Sequence, residues 1–203
     1  VVVYVDDLII ASSTKEELCD IKASISKEFD VVDGGELRHF LGIEIERDGE
    51  TGGIRIGHKQ YIESLLNDYS MQDCKSNLIP LEAGFEVKCD KADCQKVNQV
   101  SYQSLIGSLM YLAITTRPDI MHSVIKLSQR NSDPHKEHEA GAKRVLRYLR
   151  GTADLQLHYE RTGVPIHCYV DADWAGDTTD RKSFTGWACI AAGAAFTWDS
   201  KKK

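Results

Sequence analysis

Positive charge does not prevail in this sequence: 25 lysines and arginines stand against 31 aspartates and glutamates, a formal net charge of −6 over 203 residues. Such a balance gives no global electrostatic case for nucleic-acid binding, so any basic surface must be local. The six cysteines (Cys19, Cys74, Cys89, Cys94, Cys168 and Cys189) contain no CxxC pair and form no regular framework. That usage suits a reduced intracellular setting better than a secreted one. Cys89 and Cys94, with His135 and His138, are candidates for zinc but lack the tight ligand pairing that zinc sites use. The apolar start is too short to span a membrane, carries two aspartates, and has no basic segment to make it a signal peptide. Glycine-rich phosphate loops and nucleophile elbows are missing too. Proline is scarce, at four residues, and 42% hydrophobic with 28% charged residues is the composition of a globular protein. The length allows one large domain or two small ones.

What is present is well patterned. Thr14 with Glu17 three residues on has the form of a capping box, and Leu18, Ile21, Ile25 and Phe29 follow at helical spacing, predicting a buried stripe. FLGIEIE alternates as a half-buried strand does, RDGETGG is a glycine-rich connection, and IRI is its return strand. Tyr61, Ile62, Leu65, Leu66 and Tyr69 mark another helix. Residues 70–100 are less regular and suggest a surface connection at a domain boundary. Helical spacing returns from Tyr102, is interrupted at Arg117-Pro118-Asp119, and resumes, with Asp119 placed to cap the next helix. A helix from about His135 to Arg150 carries Lys143, Arg144, Arg147 and Arg150, and Gly151 ends it. Beyond it the period becomes two, in LQLHY, HCYVDAD, TGWACIAA and AAFTW, predicting a small antiparallel sheet. The chain starts at Val1 within a strand-like run and stops at Lys203 directly after another, so a piece of something longer is expected.

The opening VVVYVDDLIIA sets Asp6 and Asp7 inside an apolar, β-branched run. That composition favours two short strands with the acids at the bend between them. Adjacent like charges beside a core need a compensating cation, for which a hard divalent ion with oxygen ligands is the natural choice. Read alone, the pair also fits an ordinary acidic turn.

Tyr4-Val5-Asp6-Asp7 resembles the YxDD box of reverse transcriptases. The series YVDD, HFLGIEI, SLIGSLMYLAITTRPDI, KRVLRYLRGT and YVDADWAGDTTDRKSFTGW resembles, over essentially the whole chain, the reverse transcriptase–ribonuclease H region of copia-type retrotransposon Pol polyproteins. The resemblance implies an α+β fold in three pieces. Residues 1–80 would be the C-terminal part of a palm with its primer-grip hairpin, 81–151 a helical thumb and connection, and 152–203 the first strands of a truncated ribonuclease H-like domain.

It further implies Asp6 and Asp7 as catalytic ligands of Mg2+ or Mn2+, with two metals roughly 3.5–4 Å apart in nucleotidyl transfer. Tyr4 would sit near the primer terminus, and Phe40, Leu41 and Gly42 would form the primer grip. Lys143, Arg144, Arg147 and Arg150 would meet phosphates, giving salt-dependent, sequence-independent affinity. Asp171 matches the first metal-holding, catalytic carboxylate of ribonuclease H, whereas Asp173, Asp177, Asp180 and Arg181 read as loop-structuring residues. Implied partners are an RNA template, a DNA primer, an RNA–DNA hybrid, dNTPs and the rest of the Pol polyprotein, with no membrane. The implied location is intracellular, in a cytoplasmic particle or the nucleus. The family's further palm aspartate and fingers would precede Val1, and its later ribonuclease H carboxylates would follow Lys203, so this chain alone is expected to be inactive. Two rival readings are a decayed or co-opted remnant that binds nucleic acid without catalysis, and a translated fragment with no stable fold.

Overall fold

The computed structural model describes residues 1–82, 84–85, 95–172 and 183–202. Cys89, Cys94, Asp173, Asp177, Asp180 and Arg181 lie outside these. The chain is α+β, as expected, and divides into two compact units, Val1–Phe40 and Leu41–Lys203.

In the first unit, β1 (Val2–Tyr4) and β2 (Asp7–Ile9) form an antiparallel hairpin, Tyr4 opposite Asp7. Helix α1 (Lys15–Glu28) begins where the capping pattern predicts: the Thr14 hydroxyl accepts from the Glu17 amide at 3.2 Å. The reciprocal half of the box is absent, because the Glu17 carboxylate takes the Ser12 hydroxyl instead. Strand β3 (His39–Phe40) closes the unit. The predicted burial of the α1 stripe is only partial: Leu18, Ile21 and Ile25 are half-buried. No residue of the helix is buried, and Phe29 is 68% exposed. A hairpin of three-residue strands is too small a layer to cover a helix face of this length.

The second unit is built on helices. Strands β4 (Ile43–Arg47) and β5 (Ile54–Gly57) lead into α2 (Lys59–Asp68). After the irregular stretch come α3 (Gln99–Thr115), a 3-10 turn (Pro118–Ile120), α4 (Met121–Ser128) and α5 (Lys136–Gly151). Ile62 and Leu66 of α2, Leu105 and Leu109 of α3, Val124 and Leu127 of α4, and Val145 and Leu149 of α5 meet in one core. At about 25 cal/mol per Å² of apolar area removed from water, this burial is what holds the unit together. Strand β6 (Leu157–Tyr159) then pairs antiparallel with β5. Strands β7 (His167–Ala172), β8 (Phe184–Ala191) and β9 (Ala194–Lys202) form a second antiparallel sheet in that order. The Trp198 indole on β9 donates to the Ala113 carbonyl at 2.7 Å, and the Tyr159 hydroxyl donates to Ala195 O at 2.6 Å. Within the second unit, β6 is thus tied to β5, and β9 to α3.

Two further expectations change. Asp119 does not cap α4, whose N-terminal Ile120 has no side-chain cap. It holds Arg117 instead. Cys168 and Cys189, dispersed in sequence, face each other across β7 and β8 and form a disulfide, because the antiparallel register sets them opposite. His135 and His138 serve the start of α5, the His135 amide donating to His138 Nδ1 at 3.0 Å. Among the described residues, no helix is long and apolar enough to cross a membrane.

Candidate active site and nucleic-acid interface

Val5 and Asp6 form the two-residue connection between β1 and β2, so the acidic pair does sit at the bend. Val5 adopts φ 50°, a left-handed conformation that a β-branched residue avoids. Strain of this kind costs on the order of 1–3 kcal/mol and gathers at functional sites. Asp6, in the turn, and Asp7, the first residue of β2, are both exposed at the hairpin tip. Tyr4, on the strand entering the turn, packs edge-on against Phe40 with ring centroids 6.4 Å apart. Four of the predicted residues (Tyr4, Asp6, Asp7 and Phe40) are thus brought together.

Adjacent carboxylates supply the hard oxygen donors that Mg2+ takes, and their exposure leaves room for water and phosphate ligands. They fit part of a coordination shell. Among the described residues no group of three or more His, Cys, Asp or Glu is arranged to hold a metal ion.

Leu41 and Gly42 both have positive φ, 52° and 81°, the combination a tight two-residue turn requires. Glycine accepts this freely; Leu41 needs support. It comes from α3, where the Tyr111 hydroxyl donates to the Leu41 carbonyl. Tyr111 in turn lies 3.1 Å from His58 Nε2, and His58 Nδ1 is 2.6 Å from the Thr116 hydroxyl. His58 is 1% exposed, and burial pushes its pKa down to about 4, so the ring is neutral at pH 7. No sequence pattern points to His58, which merely follows Gly57 at the junction of β5 and α2.

Arg117 was equally invisible as a site residue. It is 1% exposed, and its guanidinium grips Asp119 with both ends, at 3.0 and 2.7 Å. Its remaining N–H groups donate to the Thr152 carbonyl and hydroxyl at 3.0 and 2.7 Å, joining the 3-10 turn to the end of α5. Desolvation pushes the Asp119 carboxyl up, but the Arg117 hydrogen bonds and charge outweigh it, and its pKa falls below the usual range.

The basic residues of α5 are divided. Lys143 pairs with Glu139 at 3.0 Å, one turn back on the same helix. Arg144 pairs with Glu82 at 2.7 Å, and Arg150 donates to the Gln72 and Cys74 carbonyls. Arg147 is exposed, with no ion pair among the described residues. Asp171 lies exposed on β7 opposite Gly186.

Comparison with known proteins defines the class. Residues 1–83 match the family described as reverse transcriptase (RNA-dependent DNA polymerase). The retrovirus-related Pol polyprotein from transposon TNT 1-94 of Nicotiana tabacum is 38% identical over 205 residues, covering 98% of this chain and 15% of that protein. The corresponding polyprotein from transposon RE1 of Arabidopsis thaliana is 35% identical over 202 residues, covering 99% and 14%. The chain therefore spans about one seventh of these polyproteins' length. An uncharacterized mitochondrial protein of Arabidopsis thaliana is 32% identical over 203 residues, covering 98% of this chain and 82% of that protein. No solved structure matches. The chain belongs to the reverse transcriptase family of transposon Pol polyproteins.

Proposed function

We propose that this chain is part of an RNA-directed DNA polymerase with ribonuclease H activity from a copia-type retrotransposon. The observation that carries the reading is the strained turn at Val5, which presents Asp6 and Asp7 together at the tip of a short hairpin. Rigid strands beside a carboxylate pair are what pre-organised phosphoryl chemistry calls for. Asp6 would be the principal ligand of Mg2+ or Mn2+, with Asp7 beside it. Such an ion supplies charge stabilisation for the phosphate and activation of the primer 3′ hydroxyl. Tyr4 and Phe40 would give the primer end an aromatic floor, and the Leu41–Gly42 turn would grip its backbone. Arg147 would meet duplex phosphates directly, whereas Lys143, Arg144 and Arg150 would first have to leave their protein partners. Asp171 would be a first ligand of the ribonuclease H centre. In this reading residues 1–80 are palm, 81–151 thumb and connection, and 152–203 the opening of the ribonuclease H-like part, working with an RNA template, DNA primer and dNTPs inside the parent polyprotein.

A primer–template duplex titrated into the purified chain tests the reading directly. Binding that weakens steeply with salt is expected, and no binding at low salt would overturn it. Primer extension on an RNA template with Mg2+ or Mn2+ is the companion assay. The chain alone is expected to give none; extension that disappears with Asp6→Asn would show that residues 1–203 complete the site. A second reading, nucleic-acid binding without catalysis, rests on the exposed Arg147 of α5. It predicts duplex affinity unchanged by divalent ions and by Asp6→Asn.

A further inference from the structure

His58, Thr116 and Tyr111 form a chain of polar side chains that the polymerase reading leaves without a role. His58 and Thr116 are almost wholly buried, at 1% and 2% exposure. A polar group buried in this way costs free energy unless it is hydrogen-bonded, so the partners define the chain's direction. Tyr111 has one hydroxyl proton and gives it to the Leu41 carbonyl. Its oxygen therefore accepts from His58, and Nε2 carries the imidazole proton. Nδ1 is then a bare lone pair and accepts the Thr116 hydroxyl proton. Every donor in the series points the same way, from Thr116 through His58 and Tyr111 to Leu41 O.

The anchor points are rigid. Tyr111 and Thr116 flank the fully buried Leu112 and Ala113 at the end of α3. The Tyr111 ring is stacked edge-on between His58 and Tyr61, with centroids 5.1 and 5.2 Å away. At the other end Leu41 holds an unfavourable φ of 52° with its side chain 41% exposed.

We propose that Thr116, His58 and Tyr111 are a positioning relay that locks the Leu41–Gly42 turn in the conformation that meets a primer–template duplex. The proposal rests on the reading of that turn as a primer grip and adds three residues that do not themselves touch nucleic acid. The test compares the wild-type chain with Tyr111→Phe, Thr116→Val and Thr116→Ser. Amide hydrogen exchange at residues 41–43 and affinity for a primer–template duplex are measured, and imidazole ¹⁵N spectra report the His58 tautomer. Tyr111→Phe keeps the ring and loses only the hydroxyl; Thr116→Val keeps the shape and loses the hydroxyl, which Thr116→Ser retains. Both deletions are expected to speed exchange at the turn roughly 5- to 10-fold, as loss of one hydrogen bond implies, without altering exchange in the middle of α3. Duplex affinity should fall several-fold with them. Thr116→Ser should match wild type in exchange, affinity and an Nε2-protonated ring.

Unchanged exchange at residues 41–43 in both deletion variants, or a Thr116→Ser variant as impaired as Thr116→Val, would overturn the relay. Altered exchange with wild-type duplex affinity would overturn its positioning role. A wild-type chain that binds no duplex would instead sink the primer-grip reading on which the proposal stands.

Discussion

Helices α1 and α3 are each written with an apolar stripe, and their fates differ. Helix α3 buries Tyr102, Leu105, Ile106, Leu109, Leu112 and Ala113, and α1 leaves Leu18, Ile21 and Ile25 only half-buried. Local signals do not separate them: both helices have side-chain caps, Thr14 for α1 and Asn98 for α3. The difference lies in what the rest of each unit offers. Residues 41–203 supply α2, α4 and α5 to interdigitate with α3, while residues 1–40 supply a hairpin of three-residue strands. Caps and propensity fix where a helix starts; burial requires an opposing layer. The carboxylate pair belongs to the thinly packed unit, and the groups that hold the Leu41–Gly42 turn belong to the densely packed one.

The comparison can be broken most forcefully at Arg117. Removing its side chain leaves the Asp119 carboxylate and the Thr152 carbonyl without their partner. A fully buried pair costs about 3–5 kcal/mol to break, and because Asp119 is partly exposed the loss should lie near the lower end, so Arg117→Ala should lower the urea midpoint clearly. Arg117→Lys should recover little of it, because an ammonium cannot match the two-pronged contact. A variant with the wild-type midpoint would show that the 3-10 turn does not join the core.

Paired truncations come next. Leu109→Ala, at a fully buried site, should cost about 2–5 kcal/mol. Ile25→Ala on α1, at a half-buried site, should cost about 1 kcal/mol, less than the core truncation. Equal losses in denaturant unfolding would mean that α1 is packed as tightly as α3.

Acid sharpens the same contrast. The folded-state pKa of His58 is pushed down to about 4, below an unfolded value near 6.5. Between those values the unfolded chain binds the extra proton, so stability is complete above about pH 6.5 and is lost as pH falls toward 4. The loss should be on the order of 2–3 kcal/mol, read from urea midpoints at pH 7 and 4.5. His58→Phe should flatten that slope. Asp119, whose carboxyl titrates below its usual range, contributes stability that persists above its unfolded pKa and fades only in stronger acid.

The smallest expected effect is at the candidate active site. Asp6→Asn removes one of two adjacent, exposed negative charges and should move stability by no more than about 0.5 kcal/mol. In contrast, Mn2+ binding followed by paramagnetic broadening of hairpin resonances should weaken markedly. Unaltered broadening would remove Asp6 from the ligand set.

Much was legible beforehand. The Thr14 cap, the β1–β2 bend at the aspartates, and helices α2 to α5 all follow from residue type and spacing, because those signals act within a few residues. The roles of Arg117 and His58 are not written in the sequence, because they depend on partners far along the chain: Arg117 on Thr152, and His58 on Tyr111 and Thr116. The same holds for the Cys168–Cys189 disulfide, since spacing alone does not reveal an antiparallel register.

By itself, then, the sequence determined the local elements, the acidic pair at a bend and the family resemblance. Hydrogen-bonding range and hydrophobic period are properties of neighbouring residues. Tertiary structure decided which apolar stripe became core, which basic residues of α5 were taken up by protein partners, and which buried polar groups hold the Leu41–Gly42 turn. Each of these depends on desolvation by another segment, and that is settled only when the segments meet.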